Sequence, residues 1–185
     1  MSAPKREEVS LAYQELSFID PKMIKHPERV VRLDVSYNHF IDLMGFSEMK
    51  NLEILVLDGN KLKSHTKFPP FPALHTLSVN KNEVTNLAVF VDCVRQSSPN
   101  LKHFSLLQNT ACPNFFNGGT LKQYRDYRLY VISRFPQLIM LDSSKVEEEE
   151  KSAAKEIYGD VPPPVKKDKD GLYSGGGERR RKKKT

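Results

Sequence analysis

Among side chains that could bind a metal or act as nucleophiles, the sequence has five histidines and two cysteines. His26, His39, His65, His75 and His103 are scattered. None stands at ligand spacing from another or from Cys93 or Cys112. Cys112, in NTACPN, reads either as a reactive loop thiol or as a small side chain packed under the end of the fold. No candidate base stands beside it, which favours packing. GGT at 118–120 and GGG at 175–177 lack the Gly-Lys-Ser/Thr that completes a phosphate loop. No catalytic residue, metal or cofactor is expected, and the chain is read as no enzyme.

The chemistry that does recur is that of an amide. In LEILVLDGNKL, Leu52, Leu55, Leu57 and Leu62 surround Asn60. The same arrangement returns in VVRLDVSYNHF around Asn38, in LHTLSVNKNEV around Asn82 and in LKHFSLLQNTA around Asn109. The asparagines stand 22, 22 and 27 residues apart. A weaker first copy, VSLAYQEL, places Gln14 at the amide position, and LIMLD is a terminal half-copy. A carboxamide offers donors and acceptors together, so stacked asparagines can satisfy turn backbone that has left the sheet. Asn38, Asn60, Asn82 and Asn109 are therefore read as a structural ladder.

Only one architecture positions such residues. The pattern L-x-x-L-x-L-x-x-N-x-L is that of leucine-rich repeats. The expected fold is α/β: a right-handed leucine-rich repeat solenoid with short parallel strands on the concave face, 3₁₀ or short helical returns, and a C-terminal helical cap. Repeats of 22 residues leave little room for a helix, whereas the longer third gap can hold one from Leu87 to Gln96. Residues 1–24, with Tyr13, Phe18, Ile19 and Met23, are expected to cover the first repeat. Tyr127, Tyr130, Val131 and Phe135 fall at helical spacing before Pro136. The boundaries follow: 1–8 a flexible N-terminus, 9–146 the repeat domain with its cap from about 120, 147–159 a helical extension directed away from the cap, and 160–185 a disordered basic tail.

The charge is segregated. Residues 1–150 carry 18 Lys/Arg and 18 Asp/Glu, whereas residues 151–185 carry 11 and 5. A neutral body argues against a nucleic-acid-binding face, so no direct sequence-specific contact with nucleic acid is expected. The run Arg179, Arg180, Arg181, Lys182, Lys183, Lys184 is open to several readings: a nuclear-localisation signal, an anionic-lipid patch, a nucleic-acid contact or a solubilising end. No apolar run is long enough to span a membrane, and MSAPKREEVS lacks a signal-peptide core. A monomeric cytoplasmic protein is expected, with the basic run leaving the nucleus open.

The tract YRLYVISRFPQLIMLDSSKV resembles the cap of the intracellular repeat group that includes the spliceosomal A-prime protein. LHTLSVNKNEVTNL, SPNLKHFSLLQNTACPN and YRDYRLYVISRFPQLIMLD together resemble the leucine-rich melanocyte differentiation-associated family over residues 50 to 146. ACPN is the most specific part of that resemblance, and the insert FFNGGT departs from it. The resemblance implies pigment-cell differentiation, trafficking to lysosome-related organelles, and Rab-type small GTPases or endosomal sorting machinery as partners. The A-prime resemblance implies instead a ribonucleoprotein subunit docking an RNA-recognition-motif partner.

Alternate strand residues face outward. The candidate partner-binding face is thus Arg32, Asp34, Ile54, Val56, Asp58, Thr76, Ser78, Asn80, His103, Ser105 and Leu107, with Ser36, Met140 and Asp142 in the same columns. Aromatic side chains are not expected there. Its aliphatics read as docking anchors in a polar rim, or as the scattered apolar residues of any surface.

Overall fold

The computed structural model describes residues 5–20 and 22–160. The basic tail at 161–185, including Arg179 to Lys184, lies outside the described residues.

Among the described residues, seven strands form one sheet in sequence order. They are β1 (Glu7–Ser10), β2 (Val30–Asp34), β3 (Ile54–Val56), β4 (Thr76–Ser78), β5 (His103–Ser105), β6 (Met140–Leu141) and β7 (Ser144–Lys145). Pairing is parallel from β1 to β6, and β7 folds back antiparallel on β6. The register keeps equivalent residues abreast. Leu33, Leu55, Leu77, Phe104 and Leu141 form one inward row. These are leucine-rich repeat strands, with the core directly behind them.

The returns follow repeat length. After β2 the chain makes a 3₁₀ turn, Met44–Phe46, that buries Phe46. After β3 it returns without a helix, burying Leu62, Phe71 and Leu74. The longer third return forms α1 (Leu87–Ser97). The Asn86 side chain caps it by accepting the Val89 N–H, and Phe90, Val91 and Val94 are its buried face. The cap helix α2 (Leu121–Arg134) starts on a Thr120–Gln123 capping box and buries Tyr127, Arg128, Leu129, Val131 and Ile132.

Four expectations are corrected. Glu7 and Glu8, assigned to a flexible N-terminus, pair with Val30 and Arg32 at the open end of the sheet. Of the residues expected to cover the first repeat, Ile19 is buried, joined by Ile24, whereas Tyr13, Phe18 and Met23 are exposed. The extension, α3 (Glu148–Tyr158), does not run away from the cap. It lies against α2, with Ala154 buried and the Tyr158 ring edge-on to Tyr130. Asp142 leaves the outward column because φ there is +57° and the chain turns into the β6–β7 hairpin.

Candidate functional site: the concave face and its amide spine

Each asparagine of the repeat is almost fully buried and spans two repeats. Asn60 Nδ2 donates to Leu57 O in its own repeat and Val35 O in the preceding one, both at 3.0 Å. Asn82 does the same to Val79 O and Leu57 O, and Asn109 to Leu106 O and Val79 O. In return Asn60, Asn82 and Asn109 accept the N–H of Phe40, Leu62 and Val84. Asn38 accepts from Gln14 and Leu16 and donates to Leu11 O. Backbone groups that have left the ladder are thereby paired inside the core. This spine holds the strands at fixed spacing and sets the shape of the face in front of it.

The concave face carries its columns in register. Arg32, Ile54, Thr76, His103 and Met140 form one; Asp34, Val56, Ser78 and Ser105 form the next. Much of the polar part is already hydrogen-bonded within the chain. Asp58 accepts from Ser78 Oγ at 2.7 Å, from the Asn80 N–H at 2.8 Å and from Asn80 Nδ2 at 3.0 Å. Ser105 Oγ donates to Asn80 Oδ1, and Ser36 donates to Asp34. Ile54, Val56, Leu107 and Met140 are half-buried. At the strand starts, Thr76 Oγ1 lies within hydrogen-bond distance of both His75 and His103 Nδ1.

One rim carries aromatics that the column reading omits. The residue before each amide adopts left-handed backbone: Tyr13, Tyr37, Gly59, Lys81 and Gln108. Tyr13 and Tyr37 stack with centroids 4.5 Å apart, and Lys81 Nζ donates to Tyr37 Oη at 3.2 Å. Gly59 makes room, because a Cβ there would stand 2.7 Å from Tyr37 Cδ1. Aligning the repeats one position ahead of the amide is the signal that finds this row.

The C-terminal end contains the most perturbed groups. Asp142 accepts the Leu106 N–H at 2.9 Å and the hydroxyls of Tyr124 and Tyr127 at 3.0 and 3.3 Å. Burial raises its pKa despite those donors. Burial likewise pushes the Tyr124 hydroxyl and the Cys112 thiol up to about 12. Cys112 is fully buried, so it packs under the cap and is held as a neutral thiol. Among the described residues no three His, Cys, Asp or Glu side chains gather as a metal site.

The model of a family described as leucine-rich repeat matches residues 27–161. The leucine-rich melanocyte differentiation-associated protein of Homo sapiens is 39% identical over 119 residues, covering 62% of this chain and 60% of that protein. The U2 small nuclear ribonucleoprotein A' of Schizosaccharomyces pombe is 32% identical over 119 residues, 55% of this chain and 48% of the relative. The chain thus spans less than two thirds of the length of either. The Drosophila melanogaster SNF/U2A' complex contains a chain of the same fold: TM-score 0.64 at 21% identity, covering 82% of this chain and 80% of that one.

Proposed function

The chain belongs to the leucine-rich repeat family, and from that footing we propose that it is a non-enzymatic adaptor whose concave face docks a protein partner. The observation that carries this reading is the register of β2 to β5. It places Ile54 and Val56 side by side between the polar positions Arg32, Asp34, Thr76 and Ser78. The face is pre-organised, because Asp58, Ser78, Asn80 and Ser105 are already hydrogen-bonded to one another. A partner therefore loses little by ordering it.

The test is Val56→Arg, which places a charge at the centre of the groove without entering the core. Affinity capture from cell extract by the wild type and the variant is compared by mass spectrometry. Loss of a defined set of proteins, at unchanged melting temperature, is the expected result. Identical recovery by both sinks the concave-face reading.

The pathway proposed is pigment-cell differentiation and trafficking to lysosome-related organelles, supported by 39% identity to a relative whose name carries melanocyte differentiation. Rab-type small GTPases and endosomal sorting machinery, implied by the same resemblance, are its partner classes, and the cytoplasm its compartment. Among the described residues no helix is long and apolar enough to cross a membrane. A second reading is a nuclear ribonucleoprotein subunit docking an RNA-recognition-motif partner. It is supported by the relatives named U2 small nuclear ribonucleoprotein A' and by the fold shared with a chain of the SNF/U2A' complex. Splicing factors among the proteins lost with Val56→Arg select this second reading; Rab proteins select the first.

A further inference from the structure

The insert FFNGGT carries the three most exposed large apolar side chains of the described residues or borders them. Phe115 is 89%, Phe116 98% and Leu121 90% exposed. Their exposure is built into the turn. The Asn114 and Asn117 side chains close a reciprocal capping box around the 3₁₀ turn Phe115–Asn117. Asn117 Nδ2 ties this turn to the carbonyl of buried Cys112 at 2.9 Å. Gly118 follows at φ +77°, and a Cβ on Gly119 would stand 2.7 Å from the Asn114 nitrogen. The phenyl rings meet edge-on, 6.0 Å apart, and none of the described residues covers them.

The charges around this turn are also placed. Lys122 and Arg125 are exposed in the first turns of α2, beside exposed Asp126. Glu149 lies with Arg125 on the groove behind Leu121. Glu147, Glu148 and Glu150 are paired with Lys145, Lys151 and Arg128. Two neighbouring rings so fully exposed form no groove and offer no hydrogen-bonding pattern for shape recognition. A fluid apolar layer accepts such side chains without complementarity.

We propose that residues 113–121 form a membrane-contact turn. Phe115, Phe116 and Leu121 enter the interfacial layer of an anionic bilayer, with Lys122 and Arg125 at its headgroups. Three apolar side chains and a few cations give reversible, salt-sensitive attachment, and this contact is independent of the concave face.

The chain has no tryptophan, so Phe116→Trp supplies a single reporter. The probes are vesicles of phosphatidylcholine alone and of an equimolar mixture of phosphatidylcholine and phosphatidylserine. A blue shift of the tryptophan emission on the mixed vesicles is expected. Co-sedimentation of the full chain should weaken roughly tenfold in Phe115→Ser/Phe116→Ser, whose melting temperature should not change because both rings are exposed. Unchanged emission overturns the proposal. So does equal sedimentation of wild type and double variant, which would leave charge acting alone. A blue shift that grows with protein concentration in the absence of vesicles also overturns it, by assigning the turn to a second copy of this chain.

Discussion

The side-chain oxygen of Asn60 accepts the backbone N–H of Phe40, 20 residues earlier, at 3.0 Å. From the same side chain, Nδ2 donates to Val35 O and Leu57 O. One buried amide thus satisfies backbone groups of two successive turns. Asn60→Ala leaves these buried groups without their side-chain partner. The expected loss is about 1–3 kcal/mol, and a similar loss is expected for Asn82→Ala. Urea denaturation of both variants measures it. Asn60→Asp should be no better than alanine, because a carboxylate facing two carbonyls cannot donate. Unchanged midpoints would remove the spine from the account of stability.

Gly59 sits at φ +66°, and the Tyr37 ring fills the space a side chain would need. Gly59→Ala therefore meets two penalties, left-handed backbone and a clash with the ring. The backbone part alone is worth about 1–2 kcal/mol. In a Tyr37→Ala background only that part remains, so the cost of Gly59→Ala should fall. A double-mutant cycle on thermal midpoints isolates the difference. Equal cost in both backgrounds would mean that the ring simply swings away.

The repeat was legible because its two requirements are local and periodic. Leu55 and its equivalents must face the core, and Asn60 and its equivalents must pair stranded backbone, so both recur at fixed intervals. The columns of the concave face follow from strand alternation alone. Other features carry no such mark. Glu7 and Glu8 form strand because β2 supplies a pairing edge, not because their side chains favour one. The docking of α3 depends on Arg128 finding Glu150, 22 residues later, which no local pattern encodes. Phe115 and Phe116 look like core residues in composition and are nearly bare in the fold.

Arg128 joins three elements from a nearly buried position, 6% exposed. Its guanidinium donates to both oxygens of Glu150, to Leu141 O and to Lys145 O. Removing Arg128 leaves Leu141 O and Lys145 O without this donor and the partly buried Glu150 unpaired, a loss of about 1–3 kcal/mol. Arg128→Met should therefore release α3, seen as rapid proteolysis within residues 147–159 together with a lower melting temperature. Arg128→Lys keeps the charge but not the fork, and should restore only part of the loss. The pair also sets a pH dependence. Hydrogen bonding from Arg128 lowers the Glu150 pKa. Its contribution is thus present above the ordinary carboxylate range and is lost as pH falls through the lowered value. Protease resistance of α3 that persists through strong acid would contradict this.

Asp142 works in the opposite sense. Burial outweighs its three donors and raises its pKa above the ordinary 3.8. The folded state therefore binds this proton more readily than the unfolded chain does. Its contribution to stability is greatest in acid and falls as pH rises from the ordinary value through the raised one. Asp142→Asn removes the buried charge and keeps an oxygen for the Leu106 N–H. The new Nδ2 can donate to the Tyr124 hydroxyl, which accepts as well as donates. The variant should equal the wild type or exceed it by about 1 kcal/mol at neutral pH. That advantage should shrink on acidification, as the wild-type carboxyl becomes neutral too. Asp142→Leu instead strands the Leu106 N–H and two phenols, and should cost about 3 kcal/mol, with the largest loss in acid, where the wild-type carboxyl no longer carries a charge penalty. Melting temperatures of both variants across the acid range distinguish a penalty of charge from a requirement for the hydrogen bonds. If Asn and Leu lose equally, it is the carboxylate itself that the cap needs.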